Sequence, residues 1–330
     1  MFEKTNEVRK VSSTSMGIAP PFSNSQPALA LTEPDHSTPA QTSALQDEPV
    51  EDFDYLDDAT DGLDDQIETE DPVYQQVNTL LLDGFAGVVL AGPPGTSKSW
   101  YARRIAARLV GGDASRAFFI QFHPAYQYED FVESYVPTTN GGFRPDAKVF
   151  LLACQAAIAQ PEPVVIVIDE LTRTDVARVF GETLTYLERS KRNVPFRLAS
   201  GRRIAIPPNV SIIATMNPWD RSVEELDLAL ERRFARITMS PDTGRLKEVL
   251  SGSSISSERL RKLELFFNVI THLPNPLCHI GHAYFHGVTD DSSLRRLWDH
   301  QLLFHFERVL KRSTEELAQV KTQWEKVFQD

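Results

Sequence analysis

Residues 92–99 read Gly92-Pro-Pro-Gly95-Thr96-Ser97-Lys98-Ser99. An apolar run, Phe85–Ala91, precedes them. Behind them Trp100, Tyr101, Ile105, Ala106 and Leu109 recur at helical spacing through Ser99–Val110. Strand, small-residue turn, Lys-Ser and helix is the arrangement that curls main-chain N–H groups round a phosphate, with the helix N-terminus adding a favourable dipole. Gly92, Pro93, Pro94, Gly95, Thr96 and Ser97 are therefore expected to form a phosphate cradle. Lys98 is expected to reach the β- and γ-phosphates, and the Ser99 hydroxyl to ligate Mg2+. One position departs from the G-x-x-x-x-G-K-[ST] pattern: Ser97 stands where the second glycine belongs. A serine is strained there if the turn needs a positive φ.

Further along, Val164-Val-Ile-Val-Ile168 runs into Asp169-Glu170. Five β-branched residues in a row suit a strand buried on both faces. Asp169 is expected to hold Mg2+ through water and Glu170 to orient and polarise an attacking water. Successive side chains on a strand point in different directions, which suits two different tasks. Phe118–Phe122, Val210–Thr215 and Phe234–Met239 read as further strands, and Val73–Asp83, Val149–Ala159 and Asp175–Glu188 as helices. Strands alternating with helices predict a parallel sheet with helices on both faces. Phe196–Ile206 reads as a hairpin turning at Ala199-Ser200-Gly201. After Pro241 the pattern is helical throughout, in Leu260–Ile270, Leu294–Leu310 and Glu315–Phe328.

The chain has 330 residues, with 34 Lys+Arg against 46 Asp+Glu and a net charge of −12. The acidity is local. Residues 1–72 hold three bases (Lys4, Arg9, Lys10) and 17 acids, net −14, whereas residues 73–330 carry 31 bases and 29 acids, net +2. The balance thus leaves phosphate or nucleic-acid binding by the body open. Residues 47–71 contain 13 acids and no base, and residues 11–46 are rich in Ser, Thr, Pro, Gln and Ala. Such a stretch cannot bury enough apolar surface to offset chain entropy, so a disordered tail is expected. It is either a solubilising tether or an acidic arm that competes for a basic groove. No run of about 18 apolar residues exists, so no membrane span is expected. The opening MFEKTNEVRK has no apolar core, so no signal peptide is expected. Cys154 and Cys278 are too few for a disulfide framework and fit a reducing cytoplasm. No Ser-His-Asp or Cys-His nucleophile set stands out.

Four further stretches make the reading narrower. Phe119-Ile-Gln-Phe-His123 with Tyr126-Gln-Tyr-Glu-Asp-Phe131 is similar to "QFH…Y-x-YEDF". Asp169-Glu-Leu-Thr-Arg-Thr-Asp175 with Val179-Phe-Gly-Glu182 is similar to "DEINRAN…VFGE". Thr215-Met-Asn-Pro-Trp-Asp-Arg-Ser222 is similar to "MNTADRS", and Ile280-Gly-His-Ala-Tyr-Phe285 to "IGHSYF". With the phosphate loop, this set resembles the McrB-like AAA+ NTPases, in the dynein-related and MoxR-like branch, over about residues 73–310. The resemblance implies a P-loop AAA+ α/β core over 73–240 and a C-terminal helical lid over 241–330, preceded by the acidic tail over 1–72. It implies Mg2+-dependent hydrolysis of ATP, or of GTP, in a homo-oligomeric ring, a hexamer. By the same resemblance Asn217 senses the γ-phosphate or the water. Arg232 and Arg233 are fingers offered to a neighbouring subunit, and Arg173 reaches across that interface. Asp220 lies in the signature loop that couples the family's ring to a McrC-type partner. Pro218-Trp219 in place of Thr-Ala, and Thr172 in place of Asn, leave the base preference and the mode of stimulation open.

Other readings stand beside these. Cys278-His279-x-x-His282-x-x-x-His286 is a weak metal pattern, and "IGHSYF" accounts for His282 as a lid residue near the nucleotide. The basic hairpin Arg197–Arg203 either lines a pore or touches DNA, or is a solvated turn. The biological task is expected to be that of the motor of a McrBC-like DNA restriction system. The family's DNA-reading domain has only the acidic tail in its place here, so target reading would fall to another subunit. A MoxR-like protein-remodelling ATPase and a nucleotide-gated assembly module with little turnover are the alternatives.

Overall fold

The computed structural model describes residues 66–219 and 228–329, all within one compact unit. The acidic stretch up to residue 65 and the Asp220-Arg-Ser222 part of the signature loop lie outside the described residues. The strands are β1 (Gly87–Ala91), β2 (Ala117–Gln121), β3 (Glu133–Pro137), β4 (Phe143–Ala147), β5 (Val164–Asp169), β6 (Phe196–Arg197), β7 (Arg203–Ile204), β8 (Val210–Met216) and β9 (Phe234–Thr238). Five of them form one sheet in the order β2-β5-β8-β1-β9. Every neighbouring pair in it is parallel, as strands separated by helices require.

Alternation along the strands loads both faces. Val89, Ala91, Ile166, Ile168, Ile212 and Ala214 join a cluster with Phe122, Phe131, Phe150 and Phe180. Within it the Phe180 ring lies 4.8 Å from that of Phe131. Val88, Leu90, Val165, Val167 and Ile213 face Val77, Tyr101, Ile105 and Ala106 on the other side. This is why the strands read as continuous apolar runs. The second set of partners comes from two helices, α1 (Pro72–Leu82) and α2 (Lys98–Leu109). Asp71 caps α1 by accepting from the N–H groups of Val73 at 2.8 Å and Tyr74 at 3.2 Å, and Pro72 takes the first helical position, where no donor is lost. Ordered packing begins earlier than the sequence suggests, because Ile67 is buried in the same cluster.

The helical part has its own core of Leu246–Val327 residues, in which the Trp298 and Trp324 rings stack 4.5 Å apart. It is tied to the sheet's helices by Arg245, which contacts the Asp71 carboxylate at 3.1 Å and the Tyr101 hydroxyl at 2.7 Å.

Several elements differ from the sequence reading. Asp175–Glu188 is two short helices, Val176–Phe180 and Thr183–Tyr186, broken at Gly181, whose φ is +51°. Leu294–Leu310 is interrupted by a π-helical turn, Trp298–Leu302, between two α-helical pieces. The β3–β4 hairpin and the helix Thr243–Leu250 are additional to the elements read from the sequence. The hairpin expected at Phe196–Ile206 is present as β6–β7. Its register sets Arg197 directly opposite Arg203, both exposed.

Candidate functional site

The phosphate loop leaves β1 and turns directly into α2. Gly95 takes φ +78° and Ser97 φ +61°, so the strain expected of a serine at this position is present. Ser97 precedes the first residue of α2 without a side-chain cap bond. The Lys98 ammonium donates to the Pro93 carbonyl at 2.8 Å, across the loop. Burial lowers the Lys98 pKa below its ordinary value, opposed by the nearby Glu170 and Asp169 carboxylates.

The register of β5 against β8 brings the acidic pair to the loop. Ser99 Oγ donates to Asp169 Oδ1 at 2.7 Å. Thr215 Oγ1 donates to the same oxygen at 2.5 Å and accepts from the Glu170 N–H at 3.1 Å. Thr215 therefore joins the two carboxylate residues. Its role is absent from the sequence reading, although it stands directly at the end of the β8 strand pattern. Glu170 itself has φ +55°, a conformation rare for a non-glycine residue and concentrated at functional sites. Arg173 Nε lies 3.4 Å from Glu170 Oε2, an ion pair within the chain.

Lys98, Glu170, Arg173, Asn217 and Trp219 line one cavity of about 580 Å3 with Tyr284, His305 and Arg308 of the helical part. Asn217 Oδ1 accepts from the Trp219 N–H at 3.3 Å, so its amide NH2 is the end left to meet a ligand. Of the lining residues, Trp219, Leu277, His305, Arg308 and Val309 carry no assignment from the sequence. Arg308 belongs to an apolar-periodic helix, where one base on the polar face carries no signal of its own. Arg232 and Arg233 are not in this cavity's wall. Arg232 is exposed, while the Arg233 side chain is largely buried with its guanidinium 3.7 Å from Glu188.

The Ile280–Phe285 stretch docks on the loop main chain to main chain. Gly281 N–H donates to the Pro94 carbonyl and Ala283 N–H to the Gly95 carbonyl, both at 2.9 Å. A Cβ at Gly281 would lie 2.0 Å from Gly95 C and O. Between them His282 Nε2 is 2.9 Å from Ser97 Oγ. The metal pattern at Cys278–His286 dissolves: among the described residues no group of three or more His, Cys, Asp or Glu could hold an ion. Cys278 is buried, which pushes its thiol pKa up to about 11, and His279 Nε2 is engaged by the Leu273 carbonyl at 2.9 Å.

Mg2+ fits what is here. Ser99 Oγ and Asp169 Oδ1 are hard oxygen donors already converged on one another. Mg2+ bound through one carboxylate plus phosphate and water needs no larger cage.

An open parallel sheet with a phosphate loop after β1 and a carboxylate pair at the end of the β5 strand defines a P-loop NTPase. Residues 87–234 match the AAA domain of the dynein-related subfamily, so the chain carries an AAA domain of that kind, and its sequence is McrB-like. It is 35% identical over 235 residues to the type IV methyl-directed restriction enzyme EcoKMcrB subunit of Escherichia coli strain K12, covering 66% of this chain and 51% of that one. It is 24% identical over 188 residues to the type II restriction enzyme BsuMI component YdiS of Bacillus subtilis strain 168, covering 44% of this chain and 55% of that one. The chain thus spans about half the length of the curated relatives it matches. Among the described residues no helix is long and apolar enough to cross a membrane.

Gly281→Ala forces backbone against backbone and is expected to destabilise the chain by about 1–3 kcal/mol; an unchanged melting temperature would mean that the two segments part freely. Burial also holds His282 and His305 below the ordinary imidazole value of 6.5. The unfolded chain then takes up protons that the folded one refuses, so stability falls as pH drops below about 6.5. Melting temperatures between pH 7.5 and 5 test this, and a flat or rising profile toward pH 5 contradicts it.

Proposed function

We propose that the chain is the NTPase subunit of a homo-oligomeric ring, a hexamer, that hydrolyses ATP or GTP with Mg2+ and drives a McrBC-like restriction system in the cytoplasm. The observation that carries this reading is the convergence of Lys98, Glu170, Arg173 and Asn217 with Tyr284 and Arg308 about one cavity. Two of its relatives being named as restriction-enzyme components supports the biological setting. DNA would be engaged through a partner subunit of McrC type.

In this reading the loop from Gly92 to Ser97 offers its amides to the phosphates, and Lys98 leaves the Pro93 carbonyl for the β- and γ-phosphate oxygens. Mg2+, held by Ser99 and Asp169, would neutralise charge on those oxygens. Glu170 orients the attacking water and accepts its proton as oxygen bonds to the γ-phosphorus and the bond to the NDP oxygen breaks. Arg173 holds the Glu170 carboxylate in place until substrate enters. Thr215 fixes the Asp169 carboxylate and the Glu170 main chain together. The Asn217 amide meets a γ-phosphate oxygen or the water. Arg308 brings a positive charge from the lid. Exposed Arg232 is the finger offered to the next subunit, and Arg233, paired with Glu188, steadies the turn that presents it.

Lys98→Ala is expected to abolish nucleotide binding, read by calorimetry with ATP and GTP. Glu170→Gln is expected to keep binding and lower kcat by about 10²–10⁴, leaving triphosphate on the protein. Arg232→Ala is expected to lower turnover by about 10³ or more in the assembled ring while binding persists. Turnover assays with a McrC-type partner and DNA place the task. Stimulation by an unrelated protein substrate without DNA would favour a MoxR-like remodeller, and tight binding without turnover an assembly module.

A further inference from the structure

Among the described residues three that are not glycine have positive φ, and Ser97 is the one inside the phosphate loop. It forgoes both things its position normally supplies: the freedom of glycine, and a side-chain cap for the helix that follows. Its hydroxyl is turned instead to His282, at 2.9 Å. That histidine is only 5% exposed, and its other ring nitrogen has no hydrogen-bond partner. Packing alone does not explain an imidazole there, because an apolar ring would fill the space without an orphaned nitrogen. What the imidazole adds is the bond to Ser97. The backbone on either side of His282 is pinned to Pro94 and Gly95, so the ring is held ready and little freedom is lost in making that bond.

We propose that Ser97 and His282 are a matched pair: His282 is a positioning residue that holds Ser97 in its left-handed conformation, and through it the helical lid sets the loop's affinity for a nucleoside triphosphate. This rests on the reading of residues 92–99 as the phosphate loop. The φ and ψ of Ser97 orient the peptide that leads into Lys98. A serine released from His282 falls back toward right-handed φ and carries that peptide with it. A glycine at this position needs no such restraint, so the effect of losing His282 on the loop is expected to depend on the serine.

The test uses full-length wild type, Ser97→Gly, His282→Phe, His282→Gln and the Ser97→Gly/His282→Phe double variant. The readouts are Kd for fluorescent ATP and GTP analogues, KM and kcat. His282→Phe is expected to raise Kd and KM about tenfold, with kcat within about twofold. In the Ser97→Gly background the same change is expected to cost less than about twofold, because the strain is gone. His282→Gln, which keeps a polar atom at similar reach, is expected to stay within about threefold of wild type. Equal losses from His282→Phe in both backgrounds, or a His282→Gln loss as large as that of His282→Phe, would overturn the pairing. Hydrogen exchange at the Gly281 and Ala283 amides tests it without nucleotide: His282→Phe speeds exchange when Ser97 is present and leaves it unchanged in the Ser97→Gly background. If wild type binds neither triphosphate, the phosphate-loop reading fails while exchange still decides the contact. If it binds and exchange is unmoved, the pair is refuted and the loop stands.

Discussion

Two main-chain hydrogen bonds, from Gly281 to Pro94 and from Ala283 to Gly95, hold the helical part against the phosphate loop. At Gly281 the contact leaves no room for even a methyl group. The rest of the site inherits its geometry from this contact. It places the Tyr284 ring against Gly95 and His282 on Ser97, and it fixes the helix that carries Arg308 relative to Lys98. A lid joined through long side chains could drift by ångströms. Here the joint is made to the loop itself, through two main-chain hydrogen bonds of 2.9 Å.

The sheet supplies the other half. Parallel strands end together, and β1, β5 and β8 deliver the loop, the carboxylate pair and Asn217 to one edge, where open α/β sheets bind ligands. A single hydroxyl, Thr215, then links Asp169 to the main chain of Glu170. Strain gathers in the same place: Ser97 and Glu170 both hold left-handed conformations within this assembly. Such strain persists only where neighbours over-determine the backbone. Here the Glu170 N–H is held by Thr215, and the Ser97 hydroxyl by His282.

The sheet was legible in the sequence because strands buried on both faces are written as unbroken β-branched runs, as in Val164–Ile168. The loop and the Asp169-Glu170 pair were legible because their chemistry is local. The lid contact was visible only as a resemblance, "IGHSYF", whose physical sense needs the loop 185 residues away, where Ser97 meets His282. Thr215 and Arg308 carried no signal because each acts through neighbours distant in the chain. The single helix read over Asp175–Glu188 failed at Gly181. Apolar spacing continued through that glycine, and a Cβ there would meet the Tyr128 ring at 2.9 Å. Likewise Leu294–Leu310 kept its apolar stripe across a π-turn, because one wider turn shifts phase without erasing the pattern.

The β6–β7 hairpin sets two arginines on facing rungs, Arg197 and Arg203, with only two residues in each strand to hold them. Like charges directly opposite one another weaken such a ladder. Most exposed electrostatic contacts fade as ionic strength rises, but this one runs the other way. Dissolved counterions shield the mutual repulsion over a Debye length of about 10 Å at 0.1 M salt. Salt therefore relieves the repulsion between Arg197 and Arg203 while it screens the attraction within exposed ion pairs elsewhere.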